Sequence, residues 1–263
     1  MDEKKKVVFT VVAFFVLIAV VIALYFLVLQ KKPDEPAESV EIKQDIPIEE
    51  ETVEEGIQTP EPLQVDLDNS DDVVRARGVE LSSHAALRQW LESEDLIRSL
   101  VAAIVNIANG ETPRSHIDFF EPEGNFDVVV RDGIVLIDPA SYERYNLVAD
   151  VFSSLNAKLT VRLYWQLSPA LREAYKELGY PDRAFQETLV DAVVRLLKVP
   201  VLDENIEVEK DVVAYKFVDP RLESLNPSQK NLLRMGPENV EIIQAKLREL
   251  AQALGIPESE LPQ

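Results

Sequence analysis

The sequence predicts a helix-rich α+β protein: an N-terminal transmembrane helix, a disordered acidic linker, and one globular domain of about eight helices with two β-hairpins. Three observations carry that prediction. An unbroken apolar run stands near the N-terminus, a proline-rich acidic stretch follows it, and the remaining chain alternates amphipathic helical patterns with two hairpin signatures. Residues 1–32 are therefore read as tail and anchor, 33–72 as linker and 73–263 as the domain.

From Val7 to Leu29 only Thr10 interrupts the apolar run. As a helix this run is roughly 34 Å long, enough to cross the hydrocarbon core of a bilayer. It closes on Leu29-Gln30-Lys31-Lys32-Pro33 with no small-residue cleavage site, which predicts an uncleaved, single-pass signal anchor. Lys4, Lys5 and Lys6 precede the run, while Lys31 and Lys32 follow it. That slight bias, with a short tail, puts the N-terminus in the cytoplasm and the domain beyond the membrane.

Between Pro33 and Asp72 fifteen carboxylates face the single Lys43, and five prolines interrupt the stretch. So little apolar surface does not offset the entropy of ordering, so this linker is predicted to be a disordered, charge-stiffened spacer. The whole chain carries 27 Lys and Arg against 47 Asp and Glu, a net charge of −20. Such a balance argues against nucleic acid as a partner, because phosphate binding needs clustered cations. The absence of cysteine removes disulfides, thiolate nucleophiles and cysteine-ligated metals, and His84 and His116 are the only histidines. No metal site and no cofactor are expected.

Within the domain, Ser93 followed by two carboxylates predicts the start of a helix. Its residues Leu96, Ile97, Leu100, Val101, Ile104, Ile107 and Ala108 make a wide apolar stripe before Gly110, as in a central core helix. Asp132-Gly133 between Asp127–Arg131 and Ile134–Ile137 predicts a tight hairpin, and 206–209 with 212–218 a weaker one. Asp138-Pro139 reads as a cap and first helical position. Helices are then predicted over 146–155, 157–167, 168–178, with Ser168-Pro169 as the restart, and 182–198. Pro227 to Met235 and Pro237 to Leu254 close the chain as two helices separated by Gly236. The second carries Val240, Ile243, Leu247, Leu250 and Leu254 in a seam too short to stand alone, which is expected to pack on its own domain. Its Glu238, Glu241 and Glu249 against Lys246 and Arg248 are the wrong balance for a DNA-reading helix.

Strong catalytic signatures are absent: there is no phosphate-binding glycine loop, no Gly-x-Ser-x-Gly and no His-Glu-x-x-His. No catalytic residue is assigned. Arg114 and His116, two apart in a loop, are suited to holding an anion, or to pinning that loop on backbone carbonyls. Tyr142, Tyr145, Tyr164, Tyr175, Tyr180 and Trp165 crowd one stretch and suit either a stacking platform or core filling. Glu173, Glu177 and Asp182 lie near them. The turn from Arg234 to Asn239 completes the set, giving Arg114, His116, Tyr142, Tyr145, Tyr180, Asp182, Arg234 and Asn239 as candidate binding residues.

Four stretches carry a resemblance. They are Pro113-Arg114 with His116; Asp138-Pro139 with Tyr142 and Arg144-Tyr145; Glu177-Leu178-Gly179-Tyr180-Pro181-Asp182; and Gln229-Lys230 followed by Leu232-Leu233-Arg234-Met235-Gly236-Pro237-Glu238-Asn239. In them the chain resembles the bacterial domain-of-unknown-function family 3014, from about residue 80 to 250. The resemblance implies a single-pass bacterial envelope protein with a low-complexity linker, and no established activity, cofactor or fold. The acidic linker departs from the Pro- and Ala-rich one more familiar in that setting.

The expected function is a membrane-tethered interaction module that binds an envelope protein or a cell-wall component, anchored in the bacterial inner membrane with its domain in the periplasm. A peptidoglycan hydrolase or lyase using Glu173, Glu177 or Asp182 is the alternative. A scaffold on the cytoplasmic side is another.

Overall fold

A computed structural model describes residues 60–113, 124–180, 183–202, 205–212 and 214–262. The expected span Val7–Leu29 lies outside the described residues, as does most of the linker. Among the described residues no helix is long and apolar enough to cross a membrane.

The domain is helix-rich α+β. Ten α-helices are found among the described residues: α1 Asp71–Gly78, α2 Ala85–Trp90, α3 Leu96–Asn109, α4 Ala140–Glu143, α5 Asn146–Ser153, α6 Ala157–Glu177, α7 Phe185–Leu197, α8 Pro220–Glu223, α9 Pro227–Leu233 and α10 Pro237–Ala253. Four short strands, β1 Val128–Arg131, β2 Ile134–Ile137, β3 Val208–Lys210 and β4 Tyr215–Phe217, make two antiparallel pairs. The expected count of eight helices is corrected to ten. Helix α2, capped by the His84 ring on Ala86 N–H, and α8, capped by Asp219, are too short for their periodicity to show.

One expected break is not there. Ser168-Pro169 was predicted to restart a helix, yet α6 runs through Pro169 as 21 continuous residues. Leu167, Ala170, Leu171, Ala174 and Tyr175 are all buried on one side of it, and that burial offsets the hydrogen bond proline cannot make. Next to the interruption, Gln166 C=O accepts from Leu63 N–H at 2.8 Å. Residues 60–72, counted with the linker on composition, thus lie on the domain. Leu67 is buried, and Leu63 and Val65 pack against the same core.

Ser93 does not cap α3. That role falls to Asp71 from α1, whose carboxylate accepts from Asp95 N–H and Leu96 N–H, both at 2.9 Å. Arg75, one turn on, donates to Leu91 C=O and Ser93 C=O, so α1 holds the turn that launches α3. Most of the predicted stripe on α3 is buried or half-buried, except Leu100, which is 48 % exposed on the outer face.

Two cores result. In the first, Val193, Leu197, Ile137, Val208 and Phe217 pack with Val240, Ile243, Leu247 and Ala251 of α10, so the C-terminal seam does pack on its own domain. The second joins Ile97, Val101 and Val105 of α3 to α6 and to Phe185 of α7. The predicted Asp-Gly hairpin forms, with Asp132 at φ 52° and Gly133 at φ 80°. A single antiparallel bridge, Leu136 to Glu207, with Ile137 N–H donating to Ile206 C=O, links the two hairpins.

Asp71→Ala strips α3 of both cap bonds. Unfolding in urea is expected to show a loss of about 1–2 kcal/mol, with Asp72→Ala, whose exposed carboxylate pairs with Arg75, close to neutral.

Candidate functional site

The candidate residues fall at two places. At the first, α9 ends and α10 begins through Gly236, at φ 87° and ψ 160°, a conformation open essentially to glycine alone. The Tyr142 ring covers it so closely that a Cβ at this position would stand 2.4 Å from the ring. Asn239, on the first turn of α10 and nearly fully buried, shares its amide N–H groups among Met235 C=O (2.8 Å), Asn146 Oδ1 (3.0 Å) and Tyr142 C=O (3.1 Å). Arg234 lies over the Phe217 ring at 4.9 Å and donates to Tyr215 C=O. Tyr145 is buried, its ring 5.4 Å from the Arg144 guanidinium. Tyr142, Tyr145, Arg234 and Asn239 are thereby committed to locking the α4–α5 corner onto the sheet and the α9–α10 turn.

The second place is the C-terminal end of α3. Asn109 donates to Tyr180 Oη at 3.3 Å, and Arg195 of α7 donates to Ala108 C=O at 2.7 Å. Asn226, which forms a capping box with Gln229 at the start of α9, packs against Gly110, and Asn231 donates to Thr112 Oγ1. A guanidinium at this end of a helix meets its negative pole, so the arrangement is favourable without a carboxylate partner. Tyr180 stacks on buried Tyr175 (4.9 Å, 7° between planes) as part of the second core. The tyrosines are accordingly divided between two cores and do not form one platform. Arg114, His116 and Asp182 lie outside the described residues.

A third feature was not singled out in the sequence. Arg77 at the end of α1 and Arg162 on α6 flank a shallow hollow of about 110 Å³, with Glu80, Leu81, Leu159 and Gln166 around it. Neither guanidinium has a hydrogen bond or ion pair among the described residues. The two arginines stand far apart in the chain, and each alone reads as an ordinary solvated side chain, so no spacing marks them.

The family model described as a protein of unknown function (DUF3014) matches residues 96–251. The chain belongs to that family. No curated protein and no solved structure matches it. Within the DUF3014 match lie the Gly236 turn, the end of α3 and Arg162, whereas Arg77 precedes it.

Of the acidic residues in the DUF3014 domain weighed for proton transfer, Glu173 is exposed on α6. Glu177 is gripped by Arg98, which reaches its two carboxylate oxygens at 2.7 and 3.0 Å. That bond holds the Glu177 carboxyl below the usual range, so it stays ionised where a general acid would carry a proton. Among the described residues no cluster of three or more His, Asp or Glu suits a metal ion.

Gly236→Ala forces a methyl group into the Tyr142 ring from an unfavourable backbone conformation, and a loss of at least about 3 kcal/mol is expected in thermal or urea unfolding. Tyr142 gives a second, opposite prediction. Its hydroxyl is buried without a partner among the described residues, and burial pushes its pKa from 10 to about 12. The neutral phenol is favoured in the fold, so this contribution is complete below pH 10 and is lost as pH rises toward 12. Tyr142→Phe is expected to raise stability by up to about 1 kcal/mol and to flatten that alkaline decline, both read from melting temperature against pH.

Proposed function

We propose that the protein is a membrane-tethered interaction module of the bacterial envelope that holds an anionic group of a protein or cell-wall partner. The observation that carries this reading is the hollow between α1 and α6, where two exposed guanidiniums have no hydrogen bond or ion pair among the described residues of an otherwise acidic chain. Guanidinium is the group best matched to carboxylate and phosphate oxygens, and two of them at one hollow offer two forks to one ligand. Leu81 and Leu159 add apolar contact beside the charges. Glu80 at the rim disfavours a bare polyanion and favours a ligand that also brings a cationic or neutral donor.

The anchor and acidic linker expected from the sequence complete the proposal. Anchored by one span in the inner membrane, with the domain on the periplasmic side, the module meets its partner at a raised local concentration. Within the competing hydrolase reading, Glu177 is poorly suited to act as the acid, because it is committed to Arg98.

Photo-crosslinking in living cells, with the crosslinking residue placed at Leu159 of the full chain, tests this reading. Adducts to an envelope protein or to sacculus fragments are expected, falling to background in Arg77→Ala/Arg162→Ala. Adducts only to cytosolic proteins would favour a scaffold on the inner face instead. Adducts that persist in the double variant would remove the hollow from the binding site.

A further inference from the structure

The two outer edges of the paired hairpins differ. In the β3–β4 hairpin, Val218 N–H donates to Glu207 C=O and Asp211 N–H to Ala214 C=O, so the backbone groups of Tyr215 and Phe217 point away from β3. Both residues are bonded on that outward side: Glu223 accepts from Phe217 N–H at 2.9 Å, and Arg234 donates to Tyr215 C=O at 3.2 Å. The β4 edge is closed by side chains. In the β1–β2 hairpin, Asp138 N–H donates to Asp127 C=O, so Val128 and Val130 are the outward pair. Among the described residues nothing bonds their backbone groups on that side. Val130 is 65 % exposed and Ile134, at the turn, 44 %. An open edge with exposed β-branched residues is a template for another strand.

The residues along that edge say which strand. Asp127-Val128-Val129-Val130-Arg131 reads acid, three valines, base. The side chains of Asp127 and Arg131 are both exposed, and neither has an ion pair among the described residues. Laid antiparallel on itself about a two-fold axis at Val129, this strand meets three requirements together. Val128 faces the partner's Val130 with both backbone bonds made, Val129 faces its own copy, and Asp127 faces the partner's Arg131 at each end. Slipping the register by two residues keeps outward residues paired but breaks both Asp127–Arg131 pairs, leaving Asp127 opposite Val129 and Arg131 opposite Asn125, or Arg131 opposite Val129 and Asp127 opposite Gly133.

We infer that β1 is a self-complementary edge through which two copies of this chain pair as a two-fold dimer, joining the hairpins of both into one continuous sheet. The contact is isologous, so it closes at two copies and does not propagate. One short strand supplies modest area, which makes the association reversible and concentration-dependent.

The absence of cysteine makes the register directly readable. In the full chain, Val129→Cys places two thiols across the axis at a non-hydrogen-bonded pair, with Cα atoms about 4.5 Å apart and within disulfide range. Mild oxidation is expected to give a disulfide dimer on a non-reducing gel. Val212→Cys, on the other hairpin and 92 % exposed, is expected to give little. Asp127→Arg in the Val129→Cys background should lower the yield about fivefold or more, and adding Arg131→Asp should restore it, because the swapped pair is again self-complementary. A Val129→Cys yield no greater than that of Val212→Cys overturns the inference and includes the case in which another segment of the same chain covers the edge. A yield that the single reversal leaves unchanged, or that the double reversal fails to restore, overturns the register and with it the dimer proposed here.

Discussion

Helix α7 belongs to both cores at once, and the rest of the domain is organised around that sharing. Its first turn gives Phe185 to the core of α3 and α6, where buried Thr188 also shares a 2.7 Å hydrogen bond with Tyr175 Oη. Two turns later Val193 and Leu197 face the sheet and α10. Between them Arg195 reaches back to the end of α3 through Ala108 C=O, while its own carbonyl accepts from Gln229 of α9. At the C-terminal end of α7 the Leu196 carbonyl, which also takes Val199 N–H, and the Val199 carbonyl two residues beyond the helix both accept from Gln244 of α10. A rigid rod about 20 Å long therefore fixes the spacing of the two cores, and the polar groups at its end are satisfied by the helices that the packing requires.

Charge is handled locally in a chain with so many carboxylates. Arg98 collects Asp68, Asp95 and Glu177, drawing together the segment that enters the domain, the start of α3 and the end of α6. Each pair is exposed and worth little alone, but together they tie three stretches distant in sequence. The lowered Glu177 pKa means that its share is present above the usual carboxylate range and fades as acid protonates it. Arg75 does the same at α1, bonding Asp72 while holding two carbonyls of the turn before α3. Arg77 and Arg162, by contrast, carry no such bond among the described residues and meet at one hollow.

Local signals were legible in the sequence, and long-range ones were not. Asp132-Gly133 sets its hairpin through backbone preference alone, and Gly110, Gly179 and Gly236 end helices for the same kind of reason, so these elements follow from a few adjacent residues. Pro169 was misleading because its effect depends on burial along both halves of α6, which no local window contains. The cap of α3 was misplaced because Ser93 is near in sequence, whereas Asp71, twenty-five positions before Leu96, is near in space. Leu63, Val65 and Leu67 alternate with polar residues in an acidic stretch, so composition hid an ordered entry into the domain. The resemblance quotes Tyr142 and the Arg234–Asn239 turn in separate stretches and does not bring them together. Nothing in their spacing shows that a tyrosine ring lies on Gly236.

That contact changes how Gly236 and Asn239 are to be read. Gly236 and Asn239 are required by geometry: one because a ring occupies the space of a side chain, the other because three acceptors converge on its amide. Gln229 completes a capping box and a bond to α7 in the same way. A residue whose polar atoms are all used inside the domain has little left to offer a ligand, however specific its motif. Binding is better sought among groups the fold leaves unspent, which are costly neither to expose nor to re-pair. By that criterion the guanidiniums of Arg77 and Arg162 and the open backbone of β1 rank above the Gly236 turn.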